Sequence, residues 1–67
     1  MKLQFVAIFK DGSMSELYHS RIELESRNKF RWSNLFEVAF ADPLELEDIN
    51  EVVTRVKRKL KINRMAN

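Results

Sequence analysis

The chain contains no cysteine, one glycine, one proline and one histidine among its 67 residues. The absence of cysteine excludes disulfides, iron–sulfur clusters and thiolate metal sites. With a single histidine, an all-protein zinc site would depend on carboxylate ligands, which structural and catalytic zinc sites seldom use alone. We therefore expect no metal and no cofactor, and a cytoplasmic location is compatible with these absences.

Long apolar runs are also absent. No segment approaches the ~18–20 apolar residues that span a bilayer, and the first residues lack the apolar stretch of a signal peptide. Hydrophobic residues make up 45% of the chain and charged residues 33%, a balance typical of folded rather than disordered proteins. We expect a soluble protein that does not associate with membranes.

The length predicts one domain, residues 1–67, close to the lower limit for a self-sufficient core. A chain of this size buries only about 60% of the surface that its unfolded form exposes, and its core supplies roughly 3–5 kcal/mol. Neither a disulfide nor a metal adds to that stability. Formation of a homodimer is therefore the most available source of more.

The segment from Leu3 to Lys10 is rich in β-branched and aromatic residues and ends at Asp11-Gly12, which favours a tight hairpin turn. Both faces of this predicted strand carry apolar residues, which indicates a central strand covered on two sides. Residues 14–25 alternate in polarity and predict a second, antiparallel strand, followed by a turn at 26–29.

Residues 30–41 fit two patterns. The alternation of Phe36, Val38 and Phe40 with smaller or charged residues favours a third strand, preceded by a bend at Ser33-Asn34. A helical alternative would place Trp32 and Phe36 on one stripe. We prefer the strand.

The last element is predicted to be a helix of about five turns that frays near Ile62. Asp42 is a suitable cap, Pro43 suits the first helical position, and Glu45 stands where a capping box places an acid. Apolar residues then recur three and four apart, at Leu46, Ile49, Val53, Val56 and Leu60. The predicted fold class is α+β: a small antiparallel β-meander of two to three strands with one long C-terminal helix packed on one face.

Charge divides this predicted helix. Every charged residue from Asp42 to Thr54 is acidic, and every one from Arg55 to Asn67 is basic. A helix macrodipole favours that layout without any ligand, because acids are stabilised at the N-terminus and bases at the C-terminus. A cluster of bases is also what an anionic partner requires. Most of the bases lack an acid four residues away, so they remain available for such a partner.

No constellation typical of an active site is visible. His19 is the one side chain with an ordinary pKa near neutrality, but its neighbours on a strand point to the opposite face. The carboxylate pairs Glu23 with Glu25 and Glu47 with Glu51 offer too few converging oxygens for a cation site. We therefore expect a protein that is not an enzyme.

The favoured function is a non-enzymatic binding module, a regulator, adaptor or inhibitor that docks on a larger protein. The chain has more large apolar and aromatic residues than so small a core requires, and Trp32 and Phe36 are the predicted contact residues. The basic end of the helix would steer the encounter.

The alternative is binding of nucleic acid. Cations that alternate with aromatic rings are typical of surfaces that bind single strands, and Phe30 and Trp32 alternate with bases in this chain. This alternative gains if the two basic groups share one face of the fold. The predicted contacts are Arg27, Lys29, Arg31, Arg55, Lys57, Arg58, Lys59 and Lys61.

Overall fold

The computed structural model describes residues 2–66 and has an α+β fold. Two antiparallel strands and two helices occur in the order β1 (Gln4–Phe9), α1 (Arg21–Arg27), β2 (Leu35–Ala41) and α2 (Ile49–Ala66). Two 3₁₀ helices, Lys29–Asn34 and Pro43–Glu45, precede β2 and α2. The predicted fold class, an antiparallel sheet with a long C-terminal helix packed on it, is confirmed.

Strand β1 lies in the middle of the sheet. On one side it pairs antiparallel with β2, with Val6 opposite Ala39. On the other side residues 13–18 run antiparallel to it, where Phe5 and Tyr18 exchange two backbone hydrogen bonds of 2.8 and 2.9 Å. The reversal between them occurs at Asp11-Gly12, as predicted, and Gly12 adopts the positive φ of 91° that glycine permits at low cost.

Alternation along β1 buries apolar side chains on both faces of the sheet. Val6 and Ile8 point to α2, and Ala7 and Phe9 point to Leu24 of α1. The molecule is therefore built in three layers, with α1 and the first 3₁₀ helix on one face and α2 on the other. The predicted central strand covered on two sides is confirmed.

The prediction of a second strand over residues 14–25 is wrong for its latter half. Met14 and Tyr18 do bridge to β1 as antiparallel partners, but α1 begins at Arg21. Ser20 caps this helix, because its hydroxyl accepts a 3.3 Å hydrogen bond from the Glu23 N–H. Ile22 and Leu24 are two residues apart, as on one strand face, yet only Leu24 is buried.

The predicted turn at 26–29 is likewise replaced by the end of α1. Asn28 follows the last helical residue and is the one buried polar side chain within residues 2–66. Its Nδ2 donates a 2.9 Å hydrogen bond to the Leu24 carbonyl. The side chain thereby closes the helix, while the backbone carbonyl of Asn28 accepts a 3.0 Å hydrogen bond from the Arg31 N–H of the 3₁₀ helix that follows.

The favoured strand in residues 30–41 is confirmed as β2, and the predicted bend at Ser33-Asn34 coincides with the end of the 3₁₀ helix. β2 contains a bulge: Ile8 lies opposite Glu37 and Phe9 opposite Leu35, which leaves Phe36 as the extra residue. A bulge interrupts the alternation of faces. Phe36 and Glu37 consequently both contact the α2 side of the sheet, through the core cluster and Lys59 respectively.

The C-terminal helix begins later than predicted. Asp42 is a cap, but of the 3₁₀ helix, where its Oδ1 accepts a 3.0 Å hydrogen bond from the Leu44 N–H. Leu46 then adopts the left-handed conformation at φ 60°, which no helix interior accommodates. Asp48 accepts a 2.8 Å bond from the Asn50 N–H as α2 begins.

The acid that reaches back to the cap is also different from the predicted one. Oε1 of Glu47, rather than Glu45, accepts a 2.8 Å hydrogen bond from the Asp42 N–H. We call residues 42–48 the leucine turn, because they form a hydrogen-bonded unit that contains Leu44 and Leu46. α2 continues to Ala66, beyond the predicted fraying point at Ile62.

Replacement of Leu46 by glycine should stabilise the fold. A leucine at φ 60° carries backbone strain that glycine avoids, and its side chain is 95% exposed, so no packing is lost. We expect Leu46→Gly to raise the free energy of unfolding of the single chain by about 0.5–1 kcal/mol, measured by urea denaturation at low protein concentration, where the chain is monomeric. Leu44→Gly is the matched control and should not stabilise, because Leu44 is also exposed but has no positive φ. Equal effects of the two substitutions would contradict the assignment of strain to Leu46.

Candidate functional site

The two basic groups of the sequence lie in different layers. Arg27 ends α1, and Lys29 and Arg31 belong to the adjoining 3₁₀ helix on the same side of the sheet. The bases of the second group, Arg55, Lys57, Arg58, Lys59 and Lys61, all lie on α2, which covers the opposite face. A single flat ligand therefore cannot contact both groups at once.

Arg31 is used inside the fold. Its guanidinium lies 4.0 Å from the centroid of the Phe9 ring, a cation–π contact with a fully buried aromatic side chain. Its Nη2 also donates a hydrogen bond to Oγ of Ser13, which in turn donates to Oδ1 of Asp11 at 2.6 Å. Arg31 thus ties the 3₁₀ helix to the hairpin turn.

Lys59 also has a partner within the chain. Its Nζ lies 3.2 Å from both carboxylate oxygens of Glu37, so the pair joins α2 to β2. Both side chains are partly solvated, and ion pairs of this kind add little to stability. The pair does show which side of α2 lies over β2. The remaining six predicted bases are exposed: Arg27, Lys29, Arg55, Lys57, Arg58 and Lys61.

The two predicted contact residues lie on opposite faces of the sheet. Trp32 packs with Phe9 and Leu24 on the α1 side, and Phe36 packs with the α2 cluster. Both are half-buried. Trp32 and Phe36 therefore belong to two separate surfaces, and their role in partner binding stays a prediction.

The outer surface of the α1 layer carries two large apolar side chains that sequence reasoning did not single out as contacts. Ile22 on α1 is 79% exposed and Phe30 on the 3₁₀ helix is 83% exposed, whereas Leu24 between them in sequence is fully buried. Trp32 borders this surface and lines a shallow hollow with Glu25, Ser26 and Lys29. We call Ile22, Phe30 and Trp32 the α1-layer patch.

A second pair of exposed apolar side chains stands on the leucine turn. Leu44 is 70% exposed and Leu46 is 95% exposed, although five hydrogen bonds to Asp42 or Pro43 order the backbone around them. Acids surround the two leucines at Glu45, Glu47 and Asp48. The sequence pattern assigned Leu46 to the helical core, and no local signal indicates its left-handed conformation.

A hollow with an apolar floor and basic sides opens at the other end of α2. Phe36 and Leu60 form its floor, and its sides are Lys10, Asn63 and Arg64. An adjacent hollow adds Lys57 and Lys61 beside the Gly12 turn. We call the first of these the basic hollow. Lys10 and Arg64 are 54 residues apart in the chain, so only the packing of α2 on β1 brings them together.

The remaining sequence candidates have local roles or none. Nδ1 of His19 is hydrogen-bonded to the Leu3 carbonyl at 2.9 Å in an exposed position. Glu47 is bonded within the leucine turn. In the part of the chain from residue 2 to 66, no three histidine or acidic side chains gather as a cation site would require. In the same range, no helix has the length and apolar character needed to cross a bilayer.

Comparison with known proteins provides no relative from which a role could be transferred. No family model, no curated protein and no solved structure matches this chain significantly. Arguments about its function therefore rest on the surfaces described above.

The pKa of Asp11 is sensitive to the hydrogen bonds that join the hairpin turn to the 3₁₀ helix. Hydrogen bonds from the Ser13 hydroxyl and from the Ser13 N–H, with a smaller effect of the Arg31 charge, lower the pKa of Asp11 below its ordinary value of 3.8. We expect Ser13→Ala to raise the pKa of Asp11 toward 3.8, measured by NMR titration of the carboxyl carbon. Ser26→Ala, on exposed helix surface, is the control and should leave it unchanged.

The sign of the pH dependence follows from that direction. Because the folded-state pKa of Asp11 is lower than the unfolded one, its contribution to stability is fully present at neutral pH. The contribution is lost as the pH falls below about 4, through the folded-state pKa. A folded-state pKa of Asp11 that does not respond to Ser13→Ala would show that the hydroxyl is not the donor in solution.

Proposed function

We propose that this protein is a non-enzymatic binding module, a regulator, adaptor or inhibitor that docks on a larger protein through the α1-layer patch. The observation that carries the proposal is the exposure of Phe30, 83%, and of Ile22, 79%, on the outer surface of one layer. Neither side chain contributes to either core cluster. A small domain that leaves two large apolar side chains outside its core gains from burying them against a partner.

The energetics of such a contact depend on few residues. Full burial of a phenylalanine or isoleucine side chain contributes about 1.5–3 kcal/mol, so these two supply enough for a specific interface centre. Trp32, half-buried in the adjoining hollow, adds an aromatic surface that is already held in place by Phe9 and Leu24. Charged neighbours such as Glu25 and Lys29 provide the polar rim that protein interfaces commonly have.

The bases of α2 have a different part in this proposal. They lie on the far side of the sheet from the patch and do not contact a partner seated there. A partner seated on the patch lies across the sheet from them, more than a Debye length of roughly 8–10 Å away, so their unpaired charges, together with Lys10 and Arg64, attract an acidic protein mainly at low salt. That attraction raises the association rate and depends on salt, while the patch sets the dissociation rate.

The patch can be tested by cross-linking and pull-down from the native cell lysate with the full chain. Proteins captured by the unmodified chain should be lost or reduced at least about tenfold with Phe30→Asp and with Ile22→Asp, since a loss of about 1.4 kcal/mol is tenfold in affinity. Thr54→Asp, exposed on α2 on the other side of the sheet, is the matched control and should retain capture. Identical captured sets for all four proteins would refute the patch as the docking surface.

Binding of single-stranded nucleic acid is a second candidate, and one observation favours it. Phe30 is an exposed aromatic ring, and Lys29 precedes it on the same 3₁₀ helix, so a base could stack beside a phosphate contact. The layered fold limits this candidate, however. Arg31 is held against Phe9, so only Arg27 and Lys29 among the predicted bases are free on this face.

The limited number of cations makes the salt dependence diagnostic. Two phosphate contacts on a single strand predict a log–log slope of about −1.4, from about −0.7 per phosphate, and Phe30→Ala should weaken binding further. Fluorescence anisotropy with mixed-sequence DNA and RNA oligonucleotides would measure it. A much steeper slope that is insensitive to Phe30 would place the contact on α2 instead. No binding at low salt would exclude this candidate.

A further inference from the structure

The outer edge of β2 is open. Within residues 2–66 the sheet ends at β2. β1 has a neighbour on each edge, with β2 on one and residues 13–18 on the other. Phe5, Ala7 and Phe9 bond toward residues 13–18, so the alternate residues of β1 bond toward β2. Their partners in β2 are Glu37, Ala39 and Ala41, and the N–H and C=O groups of Val38 and Phe40 therefore point outward.

The side chains along this edge do not protect it. β2 has seven residues, contains neither proline nor lysine, and its one charged side chain, Glu37, is paired with Lys59 of the same chain. Phe40 is 43% exposed, and its ring packs 5.2 Å from that of Phe5. Native proteins usually protect a free edge of this length with charges, proline or a covering element. An edge without these devices is suited to pairing with another strand.

We infer that a second copy of this chain covers the edge. Two β2 strands pair antiparallel about a twofold axis near Val38, and the leucine turn of each copy docks in the basic hollow of the other. The result is a dimer with one continuous sheet, in which each α2 lies on the same side as its counterpart.

The positions of the two ends of β2 favour this arrangement. Antiparallel pairing places the end of each strand beside the start of its partner. The leucine turn follows directly after the last residue of β2, Ala41, and the basic hollow contains Phe36 from the start of β2. Both features lie on the α2 side of the sheet, because the turn leads into α2 and Leu60 of α2 lines the hollow.

The chemistry of the two features is complementary. The leucine turn offers two exposed leucines among acids, and the basic hollow offers an apolar floor of Phe36 and Leu60 between Lys10 and Arg64. Glu47 accepts a hydrogen bond from the Asp42 N–H and Asp48 accepts one from the Asn50 N–H of α2, whereas the Glu45 carboxylate has no hydrogen bond within residues 2–66. We therefore pair Glu45 with the partner's basic side chains.

The two copies of α2 are complementary in the same sense. The bond from Lys59 to Glu37 identifies the side of α2 that lies over β2, and helical spacing places Glu51 and Arg55 on that side. Antiparallel pairing brings Glu51, near the start of each helix, toward residues 55–64 of the other helix, where every charged side chain is basic. A parallel or unrelated strand would not bring a leucine turn to the basic hollow, and we therefore assign the edge to a second copy.

The dimer leaves the α1-layer patch free. A standard interface takes about 800 Å² from each partner, which is roughly one sixth of the 4958 Å² that the single chain exposes. The contact surface consists of the β2 edge and the α2 side of the sheet, whereas Ile22 and Phe30 lie on the outside of the other layer. The inference therefore does not rest on docking to a larger protein, and the two can fail separately.

Sedimentation equilibrium on the full chain tests the leucine turn. We expect a concentration-dependent monomer–dimer equilibrium that Leu46→Asn weakens at least about tenfold, since a buried leucine is worth more than 1.4 kcal/mol. Asparagine tolerates the left-handed conformation, so the turn should keep its shape. Ile22→Asn is the matched control, with an equally exposed apolar side chain outside the interface, and should leave the equilibrium unchanged. A strict monomer at about millimolar concentration, where even weak specific pairs associate, would overturn the proposal, as would equal effects of the two variants.

A charge exchange tests the pairing of turn and hollow. Glu45→Lys and Lys10→Glu chains should each dimerise at least about tenfold more weakly than the native chain, because like charges meet twice across the twofold axis. A mixture of the two variants should restore association, since each contact then joins opposite charges. Failure of the mixture to associate more strongly than either variant alone would contradict the arrangement.

The absence of cysteine permits a direct test of the edge. A chain with Val38→Cys as its one thiol should oxidise to a disulfide-linked dimer in high yield, because the axis near Val38 brings the two residues within the 4.4–6.8 Å Cα separation that a disulfide needs. Glu16→Cys, exposed at the opposite edge of the sheet, is the control and should cross-link only slowly. Equal cross-linking rates for the two variants would overturn pairing through β2.

Discussion

Strand β1 is the element on which the rest of the structure depends. It is paired on both edges and covered on both faces, and Val6, Ala7, Ile8 and Phe9 are each no more than 5% exposed. α1 and α2 contact the sheet from opposite sides and are held together chiefly through it. The position of every surface group follows, because a base or an aromatic ring belongs to one layer or the other according to which face of β1 its element covers.

That constraint decides how the charged and apolar surfaces can act. The sequence contains eight bases that would suit a polyanion, yet the sheet divides them between two faces and the fold itself engages Arg31 and Lys59. The apolar surface is divided as well, with Phe30 on the α1 layer and Leu46 on the turn before α2. Two separate apolar surfaces are more easily explained by two separate contacts than by one ligand, and this is the basis for assigning one to a larger protein and the other to a second copy.

The sequence predicts well the elements whose pattern of apolar residues matches the faces that are buried in the fold. β1 has apolar residues on both faces and is buried on both, and α2 has apolar residues at helical spacing that pack on the sheet. Prediction failed at residues 21–25, because the alternation of Ile22 and Leu24 mimics a strand while the Ser20 cap favours a helix. It failed again at Leu46, whose spacing fits the helical stripe but whose backbone is left-handed. The candidate surfaces were harder to predict, because the basic hollow joins Lys10 to Arg64, which are far apart in the chain, and the sequence around Phe30 does not distinguish an exposed ring from a buried one.

The central position of β1 also governs how the chain can reach its native state. Gln4 lies opposite Ala41, so the strand is synthesised some three dozen residues before its partner in the sheet. Its two apolar faces are covered by different elements. α1 covers the face that carries Phe9, and α2 covers the face that carries Val6 and Ile8. During translation an apolar strand with a short, irregular hairpin partner must therefore remain exposed until α2 has emerged, and such exposure invites non-native association. β1 is buried only when elements from both sides of the sheet have packed on it. The segment that is best buried in the folded protein is therefore the one most prone to association in the nascent chain.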